Sequence, residues 1–256
     1  MLLFSSSLIS PSLKLTVGER VSSAGSVDLF LLGHMCWAYV IARPCASALK
    51  INVNPYLILF LGTLPDIDIL LTSFGVQHRT ITHSLVFWSI AFLPIFIKYR
   101  KRSIPYFVAL AQHIILGDFM VGYTQPLWPI SSLKLGSGLY LLSVTNMALE
   151  ITGLVIFLVL LRFNGDSRVV FGVRKHNLLS IAPLIPLVAF LLVAQNIDSS
   201  QMSGDESAIN LPPKLENRIL RSGFLPVIVV SHAILLSSLA ISLVQGSRAL
   251  LYKKAV

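Results

Sequence analysis

The sequence predicts an all-α fold: a polytopic bundle of about seven transmembrane helices with its polar site within the first four. Three observations predict it. Of the 256 residues 55% are apolar and only 12% charged, mean hydropathy is +0.78, and the apolar residues gather into separate runs long enough to cross a bilayer. A soluble domain would need about twice that charged fraction to cover its surface. The formal net charge of +9 does not point to nucleic acid, because the basic residues punctuate apolar runs instead of lining one exposed face. The expected partner is therefore the lipid bilayer, in a multi-pass protein of the cell (plasma) membrane. The two cysteines, Cys36 and Cys45, lie in or beside one predicted span and make neither a disulfide framework nor a four-cysteine metal site.

Taken in order, residues 1–26 form an N-terminal segment with a short apolar start, serines, Lys14, Glu19 and Arg20. No basic region precedes a hydrophobic core, which argues against a cleaved signal peptide. Spans are expected at 27–42, 53–73, 81–97, 104–123, 139–161, 178–195 and 224–244. Residues 27–130 make a transmembrane core carrying the polar site. Residues 131–256 add further helices and one extramembrane loop at 196–223, marked by Ser, Gly and Asp residues and the Pro212–Pro213 pair. Several runs contain breakers, namely Pro65 with Asp66 and Asp68, Pro94, Gly117 with Asp118, and Pro183 with Pro186. Such breaks persist only where protein or water covers the freed backbone. With seven spans, one set of loops holds 13 of the 20 basic residues, including Lys98, Arg100, Lys101 and Arg102. By the positive-inside rule the N-terminus is outside and the C-terminus inside.

Ionisable groups within a span are costly and mark function by default. His34 falls in the first span, Asp66 and Asp68 in the second, His78 and His83 around the start of the third, and His113 and Asp118 in the fourth. At about 1.5 Å per residue, His34 lies on the order of 10 Å below the outer end of its span, and the other groups fall in the same half of the membrane. Four spans thus carry imidazoles and carboxylates to one level, as a polar cavity in a helix bundle requires. Nitrogen and oxygen donors of this kind suit a divalent ion, Zn²⁺ or Mn²⁺ foremost, and sharing an ion offsets their desolvation. Asp66 and Asp68 are about 200° apart on a regular helix, so both face one cavity only if Pro65 distorts the segment. His113 and Asp118 are about 140° apart, so one of them could orient a ligand instead of binding the ion. Arg79, beside His78, supplies a fixed positive charge suited to an anionic substrate. The chemistry this suggests is attack of an activated water on an ester or phosphoester, with Asp66 or a histidine as general base.

The motifs LPDID, HRTITHSL and HIILGD, followed by PLWP and preceded by Gly33–His34, resemble the YdjM-like, LexA-regulated family of membrane-bound metal-dependent hydrolases. The resemblance covers roughly residues 30–130 and rests on the order and spacing of the motifs. It implies a metal-dependent hydrolase site on His34, Asp66, Asp68, His78, Arg79, His83, His113 and Asp118. The pattern also resembles, more distantly, zinc-dependent phospholipase C, which implies a phosphoester or lipid substrate. The chain departs from the family pattern at Ile69, where a polar residue or histidine is expected, and at Thr80, where glycine is usual.

The resulting assignment gives catalysis to Asp66, His78 and Arg79 and metal binding to His34, Asp68, His83, His113 and Asp118. The substrate is an anionic small molecule or lipid. Two other functions compete, an ion- or proton-coupled transporter and a non-catalytic membrane scaffold with a structural metal. A transporter predicts matching broken helices in both halves, whereas the ionisable cluster is confined to the first. His176 and His232 read as structural, Glu150 stands alone in the fifth span outside every motif, and Trp37, Trp88 and Trp128 read as core or interface anchors.

Overall fold

A computed structural model describes residues 28–74, 78–121, 123–137, 139, 143–171, 181–194 and 215–253. The expectations for residues 1–26, for His176 and for the loop at 196–214 lie outside the described residues. The described chain is helical, and it holds two isolated β-bridges, Val121 with Leu139 and Thr124 with Leu135, in place of strands.

The first helix, α1 (Asp28–Ala48), is the central element and packs against α2 (Pro55–Thr63), α4 (Ile104–Gln112) and α5 (Val144–Phe163). Its buried face runs through Leu31, Leu32, Met35, Ala38, Tyr39, Ala42 and Ala46, the helical spacing of a broad apolar stripe. Local chemistry sets the helix starts. The Asn54 side chain accepts from the Tyr56 amide, at 3.0 Å, ahead of Pro55 at the start of α2. Ser84 does the same for Phe87 at the start of α3 (Leu85–Tyr99), and Ser143 for Asn146 at the start of α5, each at 3.1 Å. The short α6 (Ser167–Val170) follows α5 and is tied back to α1, because Asp166 Oδ2 accepts from Tyr39 Oη at 2.6 Å and Arg43 Nε at 2.8 Å. Helices α7 (Leu184–Ala194) and α8 (Leu215–Lys253) complete the described chain.

Two expected spans are interrupted where the sequence carries its breakers. After α2 the chain tightens into a 3₁₀ segment, Leu64–Phe74, and after α4 it widens into a π-helical turn, His113–Asp118. The expected seven spans therefore do not appear as seven long helices. Among the described residues, Val144–Phe163 and Pro226–Ser247 are the stretches long and apolar enough to cross a membrane by themselves. Helix α8 also begins at Leu215, within the segment expected to be an extramembrane loop up to residue 223.

The exterior is apolar. Ile90, Leu93 and Ile97 of α3 point outward, as do Phe163 of α5 and Val229, Val230 and Ile234 of α8, while Phe92 is the buried residue of α3. Water would penalise such a surface, and lipid would not.

Candidate metal centre

The site is built from four segments that meet beneath α1. His34 comes from α1, Asp66 and Asp68 from the 3₁₀ segment, His83 from a single 3₁₀ turn (Ile81–His83) before α3, and His113 with Asp118 from the π-turn. A π-turn bonds each residue to the fifth along, so His113 and Asp118 come round to the same side, which a regular helix would not allow. In the tighter 3₁₀ geometry Asp66 and Asp68 point about 120° apart. They consequently meet the His83 ring from opposite ends.

Asp66, Asp68, His83, His113 and Asp118 are all buried. His83 Nε2 is 3.3 Å from His113 Nε2, 3.3 Å from Asp66 Oδ1 and 3.1 Å from Asp118 Oδ2. His113 Nε2 is 3.3 Å from both carboxylate oxygens. Asp66 and Asp118 thus each bring one carboxylate oxygen against both imidazole nitrogens. The Asp118 Oδ2 atom, despite two imidazole nitrogens this close, has no aligned hydrogen bond.

The outer nitrogens fix which tautomer each ring takes when it is neutral. His113 Nδ1 lies 2.7 Å from the Gly62 carbonyl, which only accepts, so Nδ1 carries the proton and Nε2 presents a lone pair. Thr82 Oγ1 donates its one proton to Asp68 Oδ2 at 2.6 Å, so toward His83 Nδ1, 3.1 Å away, it acts as acceptor. His83 Nε2 is thus also a lone-pair donor. With both rings neutral, two such nitrogens and two carboxylate oxygens facing one another would repel unless a cation lay among them. Three groups here could hold a metal ion: Asp66, Asp68, His78 and His83; His34, Asp66 and His113; and His83, His113 and Asp118.

Asp68 lies behind the cluster. It bonds His78 Nδ1 at 2.8 Å and accepts from the Arg79 backbone amide at 3.2 Å, besides the Thr82 hydroxyl. Arg79 takes a left-handed backbone with φ of 63°, a conformation unusual outside glycine, and reaches Asp118 Oδ1 with Nε at 3.5 Å. The PLWP stretch secures the same turn. The Leu85 amide donates to the Pro126 carbonyl at 2.9 Å, Ser84 Oγ bonds the Trp128 carbonyl, and Thr124 Oγ1 donates to the His83 carbonyl at 3.3 Å. His34 stacks on His113 with ring centroids 3.8 Å apart, and Gln112 Nε2 holds the His34 carbonyl at 3.0 Å.

A model of YdjM inner membrane proteins matches residues 30–197. The chain belongs to the YdjM inner membrane protein family. No curated protein and no solved structure matches it. The YdjM match extends well past the motifs at 30–130 and takes in Glu150. In the sequence that residue is singled out as alone in its span but left outside the site because it belongs to no motif. Buried in α5, it receives a backbone hydrogen bond from Gly33 of α1 and sits beside the cluster. Its signal was present as the lone acid of an otherwise apolar span. His232, by contrast, accepts from the Leu32 amide at 3.2 Å and donates to the Ile228 carbonyl, far from the centre in role.

Proposed function

We propose that this YdjM-family chain is a membrane-embedded, metal-dependent hydrolase of a phosphoester or a lipid-derived ester. The observation that supports it is the approach of two imidazole nitrogens and two carboxylate oxygens to within 3.1–3.3 Å in a buried cluster. Five separations of 3.1–3.3 Å among these four atoms are short enough for one divalent ion to be shared between them.

In this reading His83, His113, Asp66 and Asp118 hold the ion, and His34 braces His113 by stacking. Asp66 is then a ligand instead of the expected base, while Asp68, expected as a ligand, orients His78 and, both directly and through Thr82, His83. When bound, the ion supplies Lewis-acid stabilisation of developing negative charge and acidifies a coordinated water. His78 is positioned as general base. Its Nδ1 is committed to Asp68, which leaves Nε2 to accept a proton, and its 12% side-chain exposure gives that proton a way out. Arg79, paired with Asp118 at 3.5 Å and partly exposed, is the guanidinium beside the cluster that would face an anionic oxygen of the substrate.

The seven-span arrangement, with the N-terminus outside and the C-terminus inside, belongs to the same proposal and is supported by the outward apolar side chains and the uneven loop charge. Confinement of the cluster to the first half supports an enzyme over a transporter of two matching halves. Purified protein assayed on a panel of phosphoesters should show hydrolysis that a chelator abolishes and added zinc restores. Retained metal with no turnover of any ester would support the scaffold reading instead.

A further inference from the structure

A cavity of about 110 Å³ adjoins the candidate metal centre at His34 and Gly117. Its wall includes His34 and Gly117, which belong to the centre, together with Gly33, Trp37, Asn146 and Glu150. Glu150 is more than nine-tenths buried, and its Oε2 atom has no hydrogen-bond partner in the protein. A carboxyl oxygen left so in a mostly apolar recess is costly unless something that enters supplies a donor or a positive charge. No lysine or arginine lines the space. The carboxyl is also placed with care, since a Cβ on Gly33 would fall within the Glu150 carboxylate, so that glycine is what admits it against α1.

We infer that this cavity is a subsite for an alkylammonium group, held by Glu150 and the Trp37 indole while an attached phosphate reaches the metal centre and Arg79. The inference rests on the hydrolase reading and names its substrate class, a zwitterionic phosphoester. Charge complementarity carries it. The recess offers one carboxyl and one aromatic wall, the pair that recognises organic cations, while Arg79, paired with Asp118, and an ion held at the centre would supply the positive charge for the phosphate. A trimethylammonium head is of the size the space admits.

The full chain, purified in an uncharged detergent, is titrated with choline and with 3,3-dimethyl-1-butanol, its neutral isostere, while metal content is measured on the same samples. Choline should bind at least tenfold more tightly than the alcohol, and Glu150→Gln should lose at least tenfold in choline affinity while keeping the parent's metal. Equal binding of the two probes by the parent overturns the subsite, whether or not the variant folds, and so does unchanged choline affinity in a folded Glu150→Gln. Parent protein without metal but with choline preference would remove the hydrolase reading and leave the ammonium site standing. Phosphocholine and lysophosphatidylcholine, titrated in parallel, distinguish a soluble ester from a lipid headgroup by which binds more tightly, and binding of neither overturns the zwitterionic substrate class.

Discussion

His83 Nε2 and His113 Nε2 stand 3.3 Å apart while each ring commits its other nitrogen as a donor, one to Thr82 Oγ1 and the other to the Gly62 carbonyl. Neither ring turns freely out of the contact, because Thr82 and Asp68 hold His83 at Nδ1 and His113 is stacked on His34. Two carboxylates complete the approach. Burying two such anions costs several kcal/mol each unless a cation compensates.

Asp68 meets His83 at Nδ1, the nitrogen turned away from His113, and its removal should separate orientation from ligation. Asp68→Asn is expected to lower metal affinity by about 10–100-fold without abolishing it, whereas Asp66→Ala should abolish it. Chelator competition measures both. Equal losses in the two variants would contradict the roles given to the two aspartates.

Gly117 leaves room for His34, since a Cβ there would overlap the imidazole. Gly117→Ala should push His34 off His113, costing about 1–3 kcal/mol of stability. Thermal unfolding in detergent should show the loss, and added metal should protect the variant less than the parent.

The Tyr39–Asp166–Arg43 group ties α1 to the end of α5, away from the centre. Asp166→Ala leaves the buried Tyr39 hydroxyl without its acceptor and is expected to cost about 1–3 kcal/mol. Metal content should stay that of the parent, which makes this variant the control for general destabilisation.

Arg79 is placed to hold an anion and not to hold the ion. Arg79→Ala should retain metal and raise KM for a phosphoester at least tenfold, an effect on the order of 1.4 kcal/mol. A neutral ester should be affected far less.

Much of this was legible in the sequence because charge in an apolar run has few explanations. LPDID, HRTITHSL and HIILGD each carry their acid or histidine inside such a run, and the structure brings all eight expected site residues into one neighbourhood. Their division of labour was not legible. It depends on the 3₁₀ and π geometries after α2 and α4, which change the angular spacing of Asp66 with Asp68 and of His113 with Asp118, and no local propensity announces a π-turn. The same breaks explain why seven apolar runs do not become seven long helices. Glu150 escaped because its partner, Gly33, lies far away in sequence and has no side chain to signal the contact.

The most direct test is elemental analysis of the purified protein beside its His83→Ala and His113→Ala variants. The account predicts about one divalent ion per chain in the parent, zinc foremost, and near-complete loss in both folded variants. A parent free of metal after preparation without chelator and with zinc supplied, or variants that keep its full metal content, would contradict it.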